Sequence, residues 1–276
     1  MGINPIRPTV VNILNFLQEC RQSFQLGYSA MNTARSAIAI FSTCDGAPLS
    51  SHQDISLYMK GVRNQSPHLP RYESVWDADI VLTYLKSLGP PSSLSLKSLT
   101  IKLTTLLLLS SGHRVQTLEH LTTDHMALSA DRVTFHILTK LKHTRTKGTE
   151  LMFKAFPQDI SLCVLAHLKE YLSRTIHYRN SAQLLLSYQK PYAPVCTQTL
   201  SRWVRSTLKA AGIDLQVFAP HSIRASSSAA AKRGGATIDT ILQAGSWSHS
   251  STFSLWYDKP IVTSPSFQEA VLSNFI

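Results

Sequence analysis

The stretch "FAPHSIRASSSAAAKRGG", residues 218–235, constrains the fold more than any other part of the chain. Pro220 suits a first helical position, where its missing N–H leaves no bond unmade, and Gly234-Gly235 stop the helix after Lys232 and Arg233 in its last turn. Between these marks most side chains are small. His221 and Arg224 stand at i and i+3 and so are expected to share one face at the helix N-terminal end. That end carries unpaired backbone N–H groups and a partial positive charge, and with an Arg beside it becomes a site for an anion, most naturally a phosphate. Taken alone, the segment also reads as a capped surface helix with two solvated polar side chains.

The charge balance separates these readings. Lys and Arg number 27 against 16 Asp and Glu, a net +11 with a pI near 9.6, which favours a polyanionic partner. Hydrophobic residues make up 43% of the 276, so the basic charge belongs to a folded protein and not to a tail. Cys20, Cys44, Cys163 and Cys196 form no C-x-x-C pair, which suggests neither a zinc knuckle nor a disulfide framework, and a reducing compartment fits. No metal or other cofactor is expected. The apolar run "LTTLLLLSS" is far too short to span a bilayer, and "MGINPIRP" lacks a signal-peptide core. Ile6 stands where a myristoylation signal wants Ser or Thr.

Apolar residues recur at helical spacing over 9–42 in two blocks parted around Gly27. Ser51 or Asp54 can cap a short helix through Met59, and prolines in 67–70 break the pattern. A helix begins at Asp77 and ends at Gly89, and a long apolar helix runs from about Ser95 to Ser110. Residues 132–138 alternate as a strand should, with 150–156 as partner, and the chain from Ile160 reads as helices around one short apolar run at 184–187. The expected class is mainly α with a small β-hairpin or sheet (α+β): a helical domain over 1–66, a linker over 67–73 and a larger domain over 74–276.

Further segments carry chemistry. Arg114 follows a strongly apolar helix, which would hold its guanidinium on a rigid element. The turn "TKLKHTRTKG" crowds Lys140, Lys142, His143, Arg145 and Lys147 into a few residues, a density suited to a phosphate backbone. "ILQAGSWSHSSTFSLWYDKP" ends a helix at Gly245, presents Trp247 and His249, opens another near Ser250, and delivers Tyr257 at its far end. Singly, each has a plainer role: Arg114 as a cap, Lys140 as a solvated turn charge, Trp247 and Tyr257 as core aromatics, His249 as a polar turn residue.

In order the chain reads Arg114, Lys140, His221, Arg224, Trp247, Tyr257, which resembles the tyrosine recombinase and phage integrase superfamily, whose pattern is Arg, Lys, His-x-x-Arg, His or Trp, then Tyr. Phrases such as "TLEHL", "LCVLAHLKEYL", "PHSIRASSSAAAKRGG" and "ILQAGSWSHSSTFSLWY" are similar to the recombinases of eukaryotic DIRS and Ngaro-type retrotransposons and cryptons, over about residues 74–262. Two departures stand out. Thr117 occupies the place, three after the first Arg, where the family often has an acid, with Glu119 two further on; and both Trp247 and His249 precede the Tyr, the Trp matching the transposon pattern better.

The resemblance implies a core-binding N-terminal domain and a catalytic domain that cuts DNA through a 3′-phosphotyrosyl bond to Tyr257. Arg114 and Arg224 would clamp the non-bridging oxygens, whose charge grows in the transition state. Tyrosine, with an ordinary pKa of about 10, needs cations and a His nearby to form phenolate, a role that fits His221. Lys140 would protonate the leaving 5′-oxygen, and Trp247 would donate its indole N–H to a phosphate oxygen. Lys142 shares the hairpin with Lys140, and spacing does not separate them. The resemblance further implies double-stranded DNA as partner, a homo-tetramer on DNA, work in the nucleus, and no membrane. The alternative is a non-catalytic DNA-binding protein derived from such a recombinase, though a binder has no need of Tyr257. A metal-dependent nuclease would need clustered carboxylates, and the tight pair Asp77 and Asp79 reads as a helix start.

Overall fold

Residues 6–44, 47–67, 70–139, 148–247, 249–262, 268 and 272 are described by the computed structural model. The chain divides into two units, Met1–Arg71 and Tyr72–Ile276.

In the smaller unit, α1 (Val10–Gln22) opens with a capping box in which the Thr9 hydroxyl accepts from Asn12 N–H and Asn12 Oδ1 accepts from Thr9 N–H. Gly27 parts it from α2 (Tyr28–Phe41). A minimal antiparallel pair, β1 (Thr43–Cys44) and β2 (Ala47–Pro48), leads to α3 (Gln53–Gln65). That last helix differs from expectation. It is entered from His52 with no side-chain cap bond, Asp54 lies inside its first turn, and it continues six residues past Met59 because Val62 extends the buried stripe of Ile55 and Met59.

In the larger unit, α4 (Ala78–Ser87) starts where Asp77 accepts from Asp79 N–H, and Ser95 caps α5 (Leu96–Ser111) through Ser98 N–H. Helix α5 is the hub. It is apolar on nearly every side because α7 (Val164–Thr175), α8 (Thr197–Ala210) and α9 (Ile223–Arg233) all pack on it. The short α6 (Val115–Glu119) follows, then an antiparallel sheet of β3 (Met126–Leu128), β4 (Arg132–Ile137) and β5 (Thr149–Lys154) in that order. Phe135 pairs with Leu151 and Val133 with Phe153, so alternate residues of both strands face the core. The expected hairpin thus gains a third strand. Helices α10 (Ile238–Ala244) and α11 (Ser250–Trp256) complete the unit. The run at 184–187 is pinned by bridges pairing Thr122 with Gln183 and Leu186 with Pro194. The architecture is mainly helical with a small antiparallel sheet, the fold class expected.

Helix α9 departs from its reading in one respect that matters. Pro220 opens a separate 3-10 turn, Pro220–Ser222, and the α-helix begins only at Ile223. His221 and Arg224 thus fall on different elements and differ in burial: His221 is exposed, whereas Arg224 is 1% exposed. The small residues Ala225, Ser226, Ser227 and Ser228 are buried too, which lets α9 lie close against α5, α4 and α10.

Candidate active site

The site is assembled around Arg224. Helix α5 ends at Gly112, which takes the left-handed φ of +62° that an L side chain resists, and its carbonyl accepts from Arg224 Nη1 at 2.7 Å. Helix α10 ends at Gly245, whose carbonyl accepts from Nη2 at 2.8 Å. One guanidinium thus joins two helix C-termini, where partial negative charge favours a cation. Its Nε is buried without a partner.

Gly245 leaves room for the neighbouring indole: a Cβ there would collide with the Trp247 ring. The chain turns through Ser246 at φ 55°, and the Trp247 ring comes to rest 3.7 Å from the Arg224 guanidinium carbon. The indole Nε1 is also buried without a partner. Phe253 and Tyr257 approach the indole edge-on at 5.1 Å and 5.2 Å, and the Tyr257 ring stands 5.2 Å from the guanidinium. Tyr257 lies just past α11, its N–H bonded to Phe253 O at 2.8 Å. Burial chiefly, and then the neighbouring Arg114, lower the Arg224 pKa to about 9, while attraction to the Tyr257 hydroxyl opposes the fall.

Arg114 is half-buried and opens α6, where its side chain makes no cap bond; it does not cap α5. Its effect on Arg224 puts the two guanidinium groups within electrostatic reach. The structure thus brings together Arg114, Arg224, Trp247 and Tyr257. His221 stands on the adjacent 3-10 turn, its ring 6.5 Å from that of Tyr72. His249 is exposed at the start of α11. Lys140, Lys142, His143, Arg145 and Lys147 lie outside the described residues.

Thr117 and Glu119, the two residues near Arg114 at or beside the place where an acid is expected, have other work. Thr117 Oγ1 sits 3.4 Å from His113 Nδ1, and Glu119 turns away to accept from Thr197 N–H and its hydroxyl, which holds the start of α8. Asp77 and Asp79 both pair with Arg233 at the end of α9.

Two sets of residues went unread in the sequence. His113, 3% exposed, lies between Arg114 and the end of α10; burial chiefly, with the two arginines adding repulsion, lowers its pKa to about 4. A His beside an Arg in a loop carries no signal of burial. On α8, Arg202, Arg205 and Lys209 are exposed while Leu200, Trp203, Val204 and Leu208 are buried, a basic stripe opposite an apolar one. That stripe was visible in the helical spacing of 197–210.

The helical unit with its small sheet has the fold of tyrosine recombinase catalytic domains. The phage integrase family matches residues 83–260, and the chain belongs to that family. Among solved structures, it is similar to the XerA recombinase, with 15% identity, a TM-score of 0.52, and coverage of 99% of this chain and 82% of that one. XerH site-specific recombinase bound to a palindromic difH substrate, a post-cleavage complex, matches at 17% identity and a TM-score of 0.58 over 89% of this chain and 67% of its own. A lambda integrase dimer bound to a COC′ core site matches at 14% identity and a TM-score of 0.57 over 97% of this chain and 86% of its own. No curated protein sequence matches.

Proposed function

We propose that the chain cuts and rejoins double-stranded DNA through a 3′-phosphotyrosyl bond to Tyr257, as the recombinase of a mobile element related to eukaryotic DIRS, Ngaro or crypton elements. The observation that carries the reading is the grouping of a buried, doubly anchored Arg224 with Arg114, Trp247 and Tyr257. A guanidinium fixed by two carbonyls needs no reorganisation when charge develops beside it. Its Nε and the Trp247 Nε1 are donors that a phosphodiester oxygen would satisfy.

Attack by the Tyr257 oxygen on phosphorus forms the protein–DNA bond as the 5′-oxygen leaves with a proton from Lys140; His221 takes the phenol proton, and Arg114 and Arg224 hold the two non-bridging oxygens. The reverse step on a second 5′-hydroxyl reseals the strand without metal or ATP. The basic turn with Lys142, His143, Arg145 and Lys147, together with the exposed stripe of α8, supplies phosphate contacts. Residues 1–66 add a second DNA-binding surface, and the active assembly is a homo-tetramer on paired sites in the nucleus.

Incubation with a nicked duplex carrying an element terminus, in EDTA, is expected to trap a covalent protein–DNA band. Tyr257→Phe should bind the same DNA with unchanged affinity and give no band. A band retained in the variant would remove Tyr257 as nucleophile, and cleavage lost only in EDTA would replace the mechanism with a metal-dependent one.

A further inference from the structure

The segment that opens the larger unit, residues 72–77, touches both the turn that carries His221 and the chain just beyond Tyr257. The Tyr72 hydroxyl accepts from Ala219 N–H at 2.9 Å, two residues before His221, and its ring lies against Phe218 and His221. Trp76, 3% exposed, donates from Nε1 to the Ser222 hydroxyl at 2.8 Å, and Ser222, 1% exposed, stands between His221 and the start of α9. Val75 N–H donates to Pro260 O and Val75 O accepts from Val262 N–H, both at 2.8 Å, a parallel bridge onto the chain just beyond Tyr257. The Val75 side chain packs with Ala225 and Ile261, and Tyr257 rests on that cluster. Asp77 takes a two-pronged ion pair from Arg233 at the far end of α9.

The turn that carries His221 has no side-chain cap of its own, and Tyr257 lies just beyond its helix. Neither is fixed by secondary structure alone. We infer that residues 72–77 act as a strap that sets the register between His221 and Tyr257, with Trp76 as a positioning residue that acts through Ser222. The inference rests on the strand-transfer reading for its consequence, but the strap itself is geometry. Trp76 touches no reacting atom. Its effect is to hold a proton acceptor and a nucleophile at a fixed separation, and near-attack geometry is sensitive to shifts of about 1 Å.

Trp76→Phe keeps an aromatic side chain and removes the donor together with part of the buried indole, so Ser222→Ala, which removes the same bond from its other end, is its control. On the nicked duplex at saturating protein it should slow adduct formation about 10-fold, with DNA affinity within about two-fold of wild type, the rate equivalent of about 1.4 kcal/mol. Ser222→Ala should match it, and the double variant should be no slower than either single one, because both remove the same bond. Wild-type rates in Trp76→Phe, or losses that multiply in the double variant, would leave Trp76 as core packing only. Should Trp76→Phe fail to fold, Tyr72→Phe removes the strap's other bond to this turn and is read in the same way. If wild type forms no adduct, the strand-transfer reading has failed and the strap is judged separately from the His221 ring signals by NMR: equal displacement in Trp76→Phe and Ser222→Ala supports it, and unmoved signals overturn it.

Discussion

Two buried cations in the larger unit have opposite surroundings. Lys102, in the middle of α5, is 0% exposed and gives one hydrogen bond of 2.7 Å to the Gly89 carbonyl; burial lowers its pKa to about 8, with only the attraction of Asp159 against it. Arg224, 1% exposed, gives two bonds to helix-terminal carbonyls, lies on an indole face and stands beside a tyrosine. Both hold their charge at neutral pH, but the ammonium is a compact point charge and the guanidinium a planar fork that can bond in several directions at once. The contrast teaches where burial serves packing and where it serves chemistry: Lys102 is a residue the fold tolerates, and Arg224 is one around which the fold is arranged.

Substitution should separate the two cations most. Arg224→Lys should cut the rate of adduct formation by about 10²-fold or more, because a point charge cannot join Gly112 and Gly245 while also presenting a fork to phosphate. Lys102→Met, which replaces the cation by an apolar side chain of similar length, should leave that rate unchanged and leave the melting temperature equal or higher. Single-turnover cleavage and thermal unfolding measure both. A rate loss in Lys102→Met would erase the distinction drawn between the two sites.

This distinction is only half legible in the sequence. Helix ends marked by Asp77, Ser95, Gly112 and Gly245 could be read directly, since each acts within its own turn. The inward rotation of Arg224 could not, because its carbonyl partners lie 112 and 21 residues away. The contact of Glu119 with Thr197 spans 78 residues and likewise left no local trace. Strand β3 is three residues long and follows no alternation of its own, so it emerges only as a partner of β4. The order of chemistry-bearing residues along the chain carried the family; which of them are buried required the fold.

The buried histidines titrate with a smaller effect than substitution at the two cations. Burial chiefly lowers both His113 and His167 to about 4, so the folded state holds them neutral while the unfolded chain, with pKa near about 6.5, charges them first. Between those values the unfolded state binds more protons, and stability falls as the pH falls through that window. Each histidine contributes a slope of at most about 1.4 kcal/mol per pH unit. Denaturant unfolding between pH 7 and pH 4 should show the loss, and His167→Phe, which removes a ring with a buried unpartnered Nε2, should flatten it. An unchanged slope in that variant would mean that His167 gains its proton without unfolding.

The smallest effect returns to Lys102. Its pKa of about 8 lies below the unfolded value of about 10.4, so between the two the unfolded chain binds the extra proton and stability rises with pH. Few proteins gain stability on that side of neutrality, since lysines that pair with acids in the folded state do the reverse. Denaturant midpoints measured from pH 8 to pH 10 should rise for wild type relative to Lys102→Met, with a slope again bounded by about 1.4 kcal/mol per pH unit. Arg224→Lys supplies the internal contrast. A lysine placed there inherits the burial but meets two carbonyls in place of one, and it lies beside Arg114, which disfavours its charge. Arg224 itself, held at about 9 and so below its unfolded value, adds to the wild-type rise, and the variant, whose lysine starts from a lower ordinary pKa, should shift that part of the rise to lower pH. Equal slopes in wild type, Lys102→Met and Arg224→Lys would show that water reaches both positions in solution and that neither cation is buried in the sense used to set them apart.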